Sequence, residues 1–260
     1  MTLRTVHASR YVTPLREGGS LPAIIEADDD GLYVLKFRGA GQGLKALIAE
    51  VIAAEIARTL GFDVPEIVLV ELDPEIARTE PDPEIQDLVR ASGGLNLGMD
   101  YLPGSITFDP AVETIDAELA SELVWFDAFT SNIDRTARNT NLLMWHGRLR
   151  PIDHGAALFF HHTWKDWEAR AKSPFTQICE HVLLPAASDI AAADSRLAPL
   201  LTREELTRIV SLVPDEWLTI DAPFDKPEAH RAAYVDYLTL RLEEPRAFVK
   251  EVADAHAASL

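Results

Sequence analysis

The chain has little cysteine, little positive charge and no long uninterrupted apolar run. One cysteine, Cys179, among 260 residues excludes an intramolecular disulfide framework, and nothing around it marks a nucleophile. With 24 Lys and Arg against 42 Asp and Glu, the formal net charge is −18, which opposes non-specific attachment to nucleic acid or to an anionic membrane. Apolar stretches are broken by charge before they reach the roughly 20 residues a bilayer span needs. Residues 1–10 lack the apolar centre of a signal peptide, so a cytosolic location is expected. Neither a lipidation signal nor a basic amphipathic helix is present. Adjacent His161 and His162 lack the cysteine partners or H-x-x-x-H spacing of a zinc site, which leaves them a local structural or substrate-facing role. A 47% hydrophobic content supports two closely coupled lobes with real cores and no further large domain.

What is there concentrates between Asn132 and Gly155, N-I-D-R-T-A-R-N-T-N-L-L-M-W-H-G-R-L-R-P-I-D-H-G. Asp134 and Asn139 share one polar loop. Two apolar runs, Leu142 to Trp145 and Leu149 to Ile152, flank a His146-Gly147 turn, and Asp153 follows the second run. A phosphoryl group in transfer spreads negative charge over its oxygens, so a protein handling it needs hard oxygen ligands for Mg²⁺ and a carboxylate to orient the attacking hydroxyl. Asp134 fits the carboxylate, and Asn139 and Asp153 fit the metal ligands. D-R-x-x-x-x-N alone occurs in ordinary loops; the hairpin and Asp153 raise its weight. Arg135 either pairs with a phosphate or braces the loop, and bracing is favoured. His154 directly follows Asp153, with its role open.

Upstream, the Gly18-Gly19-Ser20 turn precedes an apolar run from Leu21 to Ala27, a 28–31 turn and a second run from Leu32 to Phe37. That pattern predicts a hairpin with Lys36 near its end. A glycine-containing turn brings backbone N–H groups to phosphates, and a strand lysine adds one positive charge. Alternation puts Tyr33, Leu35 and Phe37 on one face and Val34 and Lys36 on the other. The Gly39/Gly41/Gly43 loop then opens a helix over 44–60. Its G-x-G-x-G spacing and the lack of a βαβ pattern argue against a dinucleotide site, leaving a substrate-side loop or a plain connector. Within that helix Glu50 lies among apolar residues and is a better partner for Lys36 than Glu55.

The segment W-F-D-A-F-T-S-N-I-D-R-T-A-R-N-T-N-L-L-M-W, followed by P-I-D-H-G-A-A-L-F-F-H-H, resembles the HipA-like kinases of bacteria, and its D-R-x-x-x-x-N and I-D-x-G elements are similar to type II phosphatidylinositol 4-kinases. The resemblance implies an α+β, two-lobed protein-kinase-like fold with an antiparallel-sheet N-lobe (1–102) and a mainly helical C-lobe (103–260). It implies ATP and Mg²⁺ as cofactors, Asp134 as catalytic base, Asn139 and Asp153 as metal ligands, and Met99, Asp100 and Tyr101 as an adenine-binding hinge. The net charge weighs against a phosphoinositide acceptor. A protein Ser/Thr acceptor is expected first and a small-molecule hydroxyl second. A non-catalytic nucleotide-binding partner protein and an AMP-transferring enzyme remain as alternatives. The best-known HipA proteins carry an additional N-terminal subdomain before the kinase-like sequence, so their toxin activity and protein target are not carried over.

Downstream, Asp116 to Thr130 has helical period, Thr202 to Glu205 is a capping box, and Pro227 and Pro245 open two further helices.

Overall fold

The computed structural model describes residues 2–15, 21–41, 43–78, 80–220 and 223–259. Five strands, β1 (Thr5–Pro14), β2 (Ala23–Ala27), β3 (Leu32–Lys36), β4 (Ile67–Leu72) and β5 (Gly94–Asp100), close into a barrel in the order β1-β2-β3-β5-β4. Four of the pairings are antiparallel, and the barrel closes where β1 runs parallel to β4. The turn at residues 28–31 sets the β2/β3 register, pairing Ile24 with Val34 and Ala23 with Leu35. Tyr33 and Leu35 then point inward with Phe37, Val68 and Val70, as the alternation predicts. Gly98 sits inside the same barrel, where an added Cβ would lie 2.7 Å from Val70 Cγ2 and 3.0 Å from Val68 Cγ2. β1 is not anticipated by the sequence reading. Its residues are largely solvent-facing and its register shifts twice against β2, so it carries little apolar alternation.

Helix α1 (Leu44–Thr59) is buried from Leu47 to Ala57 without a polar face. It therefore belongs between layers, and Ala49, Ala53, Ala54 and Ala57 let neighbours approach its backbone. Leu60 and Gly61 end it, the glycine at φ 91°. Helix α2 (Pro83–Ala91), capped by Asp82 Oδ1 accepting from Glu84 N at 3.1 Å, closes the barrel's other side with Ile85 and Val89.

Beyond β5 the chain forms a three-stranded sheet, β6 (Ile106–Thr107), β7 (Leu142–Trp145) and β8 (Arg148–Pro151), and helices α3 (Ala117–Thr130), α4 (Trp167–Ala171), α5 (Ile190–Leu197), α6 (Arg203–Val210), α7 (Asp215–Thr219), α8 (Pro227–Leu242) and α9 (Ala247–Ser259). The β7/β8 turn has His146 and Gly147 both at positive φ, the two-residue hairpin geometry the sequence suggested. Thr202 Oγ1 accepts from Glu205 N at 3.2 Å, as a capping box requires. One apolar cluster runs from α1 and the outer face of β4 and β5 into α3, α5, α6, α8 and α9. The barrel and the helical part are thus packed on a common core. Among the described residues no helix is long and apolar enough to cross a membrane.

Candidate active site

The far end of β3 delivers Lys36 onto α1. Its Nζ hydrogen-bonds Glu50 Oε1 and reaches Asp153 Oδ1 at 2.6 Å, with the lysine side chain 14% and the Asp153 side chain 47% exposed. Asp153 is brought in by the stretch after β8, and Gly155 passes so close to α1 that a Cβ there would be 3.2 Å from Glu50 Oε1. Strand, helix and hairpin therefore converge on one ammonium.

That ammonium faces two carboxylates. Burial opposes the charged lysine, but Asp153 and Glu50 outweigh it and hold Lys36 above its ordinary value. Burial pushes the Glu50 carboxyl up to about 7, with the Lys36 charge opposing and the Asp153 charge adding. The Lys36 charge holds Asp153 well below the usual carboxylate range. The more exposed carboxylate keeps its charge and the buried one carries the strain of the excess.

Asp134 and Asn139 meet across their loop. Asn139 Nδ2 donates to Asp134 Oδ2 at 2.8 Å, Asn141 Nδ2 approaches the same oxygen at 3.4 Å, and Asp134 N donates to Asn132 Oδ1 at 3.2 Å. Burial, then the charge of Asp153, raises the Asp134 carboxyl. With the Asn139 NH₂ turned to Asp134, its amide oxygen has no hydrogen-bond partner among the described residues, so Asn139 and the half-exposed Asp153 offer hard oxygen donors of the kind Mg²⁺ takes. Asp153 and Asn141 are both in the left-handed region, at φ 54° and 47°, and Ile152 N donates to Asn141 O at 3.0 Å between them. Such backbone strain persists only where surrounding contacts impose it.

Arg135 is the side chain that imposes it. Wholly buried, it donates to Asp127 Oδ2 at 2.5 Å, to Asn141 O, to Ile152 O at 3.3 Å and to His154 Nδ1 at 3.2 Å. One guanidinium thus ties α3, the loop holding Asp134, and the residues that enter and leave the β7/β8 hairpin. Asp127 also accepts from Asn132 Nδ2 at 2.9 Å and from His181 Nε2 at 2.9 Å. His181 Nδ1 accepts from Leu183 N, which fixes the tautomer with the proton on Nε2. Burial would raise Asp127, but Arg135 and His181 overcome it and hold the carboxylate well below its usual range. Burial, then the Arg135 charge, pushes His154 down to about 3, so it is a neutral acceptor for Arg135.

The remaining expected residues fall in varied places. Met99 is buried in the main core, Asp100 ends β5 opposite Tyr33, and Tyr101 N donates to Leu32 O at 2.9 Å. Gly18, Gly19 and Ser20 lie outside the described residues. His161 is buried, with Nδ1 2.9 Å from Tyr234 Oη. Three groups escaped the sequence reading: Asp127, His181 and Arg241. Asp127 had a signal, a carboxylate on the apolar course of α3. Arg241 is buried and donates to Phe129 O, Ala128 O, Ala171 O and Ser173 O, capping the end of α3 from which the Asp134 loop departs. A cation at a helix C-terminus satisfies carbonyls the helix cannot.

Comparison with known proteins bears on the family and the fold. The family model for HipA-like kinases matches residues 9–248. No curated protein sequence matches the chain. Among solved structures, a proinflammatory kinase of Helicobacter pylori, CtkA, superposes with a TM-score of 0.56 at 13% identity, over 99% of this chain and 99% of that one. The Golgi casein kinase gives a TM-score of 0.49 at 11% identity, over 99% of this chain and 72% of that one. The fold is kinase-like, and the chain belongs to the HipA-like kinase family.

Proposed function

We propose that this HipA-like kinase transfers the terminal phosphoryl group of ATP, with Mg²⁺, to a hydroxyl, a protein Ser or Thr first and a small-molecule alcohol second. The observation that carries the reading is the convergence of Lys36, Glu50 and Asp153 beside the Asp134–Asn139 pair. In this reading the chain divides near Leu102, with the nucleotide held between the barrel and the helical part. Met99, Asp100 and Tyr101 would border the adenine, and Lys36, oriented by Glu50, the phosphates. Asn139 Oδ1 and the Asp153 carboxylate would hold Mg²⁺, which when bound screens the charge of the phosphate oxygens.

Asp134 does the proton work. Its Oδ2 is occupied by Asn139 and Asn141, which leaves Oδ1 for the acceptor hydroxyl. As the acceptor oxygen bonds to phosphorus and the bond to the ADP oxygen breaks, the hydroxyl proton passes to Asp134. Burial and the neighbouring Asp153 charge, which raise its carboxyl, favour that acceptance. Arg135 and Asp127 keep the loop in place without touching a reactant.

The test is thermal unfolding of wild-type and Asp153→Ala protein with ATP, Mg²⁺ or both. A ligand at a hundred times its dissociation constant adds roughly 2.7 kcal/mol. Mg-dependent stabilisation that Asp153→Ala loses is the expected result, and no shift at millimolar ATP would overturn the reading. Asp134→Asn should abolish transfer while keeping that stabilisation, and intact-mass analysis of the product separates phosphate from AMP transfer.

A further inference from the structure

The segment that carries Asp153 meets α1 at three levels. Just past the helix C-terminus, Asp63 Oδ1 accepts from Arg150 Nη1 at 2.5 Å, and Asp63 Oδ2 lies 3.0 Å from Arg148 Nε. In the middle, Gly155 passes against Glu50 and Ala46. On the first turn, Lys45 Nζ donates to His162 O at 3.2 Å. Residues 150–162 thus contact α1 in reverse order and are anchored at each end.

The anchor at Asp63 is built from several parts. Arg58, in the last turn of α1, donates to Val64 O at 3.2 Å and to Pro65 O at 3.0 Å, so the loop holding Asp63 is fixed to the helix. Arg148 and Arg150 share one face of β8 by alternation, and the Arg150 guanidinium lies 5.1 Å from the Trp145 ring centroid on β7. Trp145 Nε1 in turn donates to Pro103 O at 3.1 Å, where the chain passes from the barrel to the helical part. The Arg150 side chain is 14% and that of Asp63 31% exposed, so their attraction is only partly screened, whereas Arg148, 70% exposed, adds little.

Two sets of contacts therefore hold Asp153. Arg135 grips its segment from the helical part, through Ile152 O and His154 Nδ1. Lys36, Asp63 and Lys45 grip it from the side of the barrel and α1. In the phosphotransfer reading, on which this inference rests, the Lys36–Asp153 contact is given up, because Lys36 turns to phosphate and the Asp153 carboxylate to Mg²⁺. The outer contacts must then keep Asp153 in register with Glu50. Asp153 lies three residues past Arg150, a reach of about 10 Å, so a fixed Arg150 confines it. We infer that Asp63 and Arg150 are positioning residues of the active site, which hold the Asp153 segment to α1 while Lys36 and Asp153 engage the nucleotide. They act through Asp153 and not on a reactant.

The test uses the full chain in two measurements. Hydrogen exchange without nucleotide should be at least five-fold faster over residues 148–158 in Arg150→Met and in Asp63→Asn, and no faster in the double variant, with β2 and β3 within two-fold of wild type. In calorimetry, Arg150→Met should bind Mg·ATP at least five-fold more weakly than wild type but ATP in EDTA within two-fold. Arg150→Lys, which keeps the charge, should recover at least half of that loss. A side chain that only stabilised the fold would speed exchange throughout and weaken both forms of the nucleotide alike. That outcome, unchanged exchange, unchanged Mg·ATP affinity, additive effects of the two substitutions, or no recovery in Arg150→Lys would each overturn the proposal. Should Arg150→Met fail to fold, Asp63→Asn, at the more exposed partner, decides. Wild-type protein that binds no ATP would instead refute the phosphotransfer reading, and exchange alone then decides whether Asp63 and Arg150 hold the segment.

Discussion

Replacing Arg135 by Met tests how the loop from Asp134 to Asn139 is held. The substitution nearly keeps volume and removes every hydrogen bond of a side chain that, like its partner Asp127, is completely buried. It leaves Asp127 charged, facing only Asn132 and His181, and strips donors from the carbonyls of Asn141 and Ile152. Breaking a buried pair from one side costs about 3–5 kcal/mol, because the abandoned charge has been desolvated for nothing. At roughly 2–4 °C per kcal/mol for a chain of this size, the melting temperature should fall by about 10 °C. The assay is a double-mutant cycle in urea. Asp127→Asn alone leaves the Arg135 charge without its carboxylate, whereas the double variant removes both charges and should cost less than the two single changes together, with a coupling of about 2 kcal/mol. Additive effects, or a loss under about 1 kcal/mol for Arg135→Met, would refute the argument that this guanidinium organises the loop.

Two further outcomes follow from particular contacts. Gly98→Ala should cost about 1–3 kcal/mol in chemical denaturation, since its methyl would press on Val68 and Val70 inside a closed barrel that cannot widen locally. His154→Phe should alter the pH dependence of stability. The folded state holds His154 at about 3 against an ordinary 6.5, so it binds fewer protons than the unfolded chain, and this residue's contribution is lost as pH falls from about 6.5 toward 3. The stability difference between wild type and variant should therefore shift by about 2 kcal/mol in the variant's favour from pH 7 to pH 5. A pH-independent difference would mean that His154 titrates normally.

The parts legible in the sequence are those that local pattern encodes. The His146-Gly147 turn between two apolar runs, the polar loop from Asp134 to Asn139, and Lys36 on the outer face of its strand all follow from spacing and alternation within a dozen residues. Glu50 was legible because a carboxylate in the middle of an apolar helix needs a cation. The hidden parts depend on contacts between distant segments. Closure of the barrel rests on β1 lying parallel to β4, some sixty residues away by the pairing of Thr5 with Leu69. Its residues read as neither strand nor helix because only a few are buried. His181 and Arg241 reach α3 from 54 and 112 residues downstream, and nothing in their own neighbourhoods announces those partners. Short helices α4, α5 and α7 escaped for another reason: with five to eight residues each, they offer too few turns for a periodic signal.

The distant contacts and the local motif solve one electrostatic problem. Asp134, Asp153 and Glu50 are three carboxylates near a single lysine, in a chain already strongly acidic. Left alone, such a cluster would open to water. Two devices oppose that. Lys36 is drawn between Glu50 and Asp153, and the neutral amides of Asn139 and Asn141 hold Asp134 without adding charge. The excess negative charge that remains is relieved at the buried Glu50, whose carboxyl, pushed up to about 7, holds a proton more readily, while the half-exposed Asp153 stays charged. A divalent cation accepted by Asp153 would remove that excess, let Lys36 turn its remaining donors toward phosphate, and allow Glu50 to ionise fully beside it. In the proposed phosphotransfer reading, a cation at Asp153 would thus relieve the charge that the cluster otherwise places against Glu50.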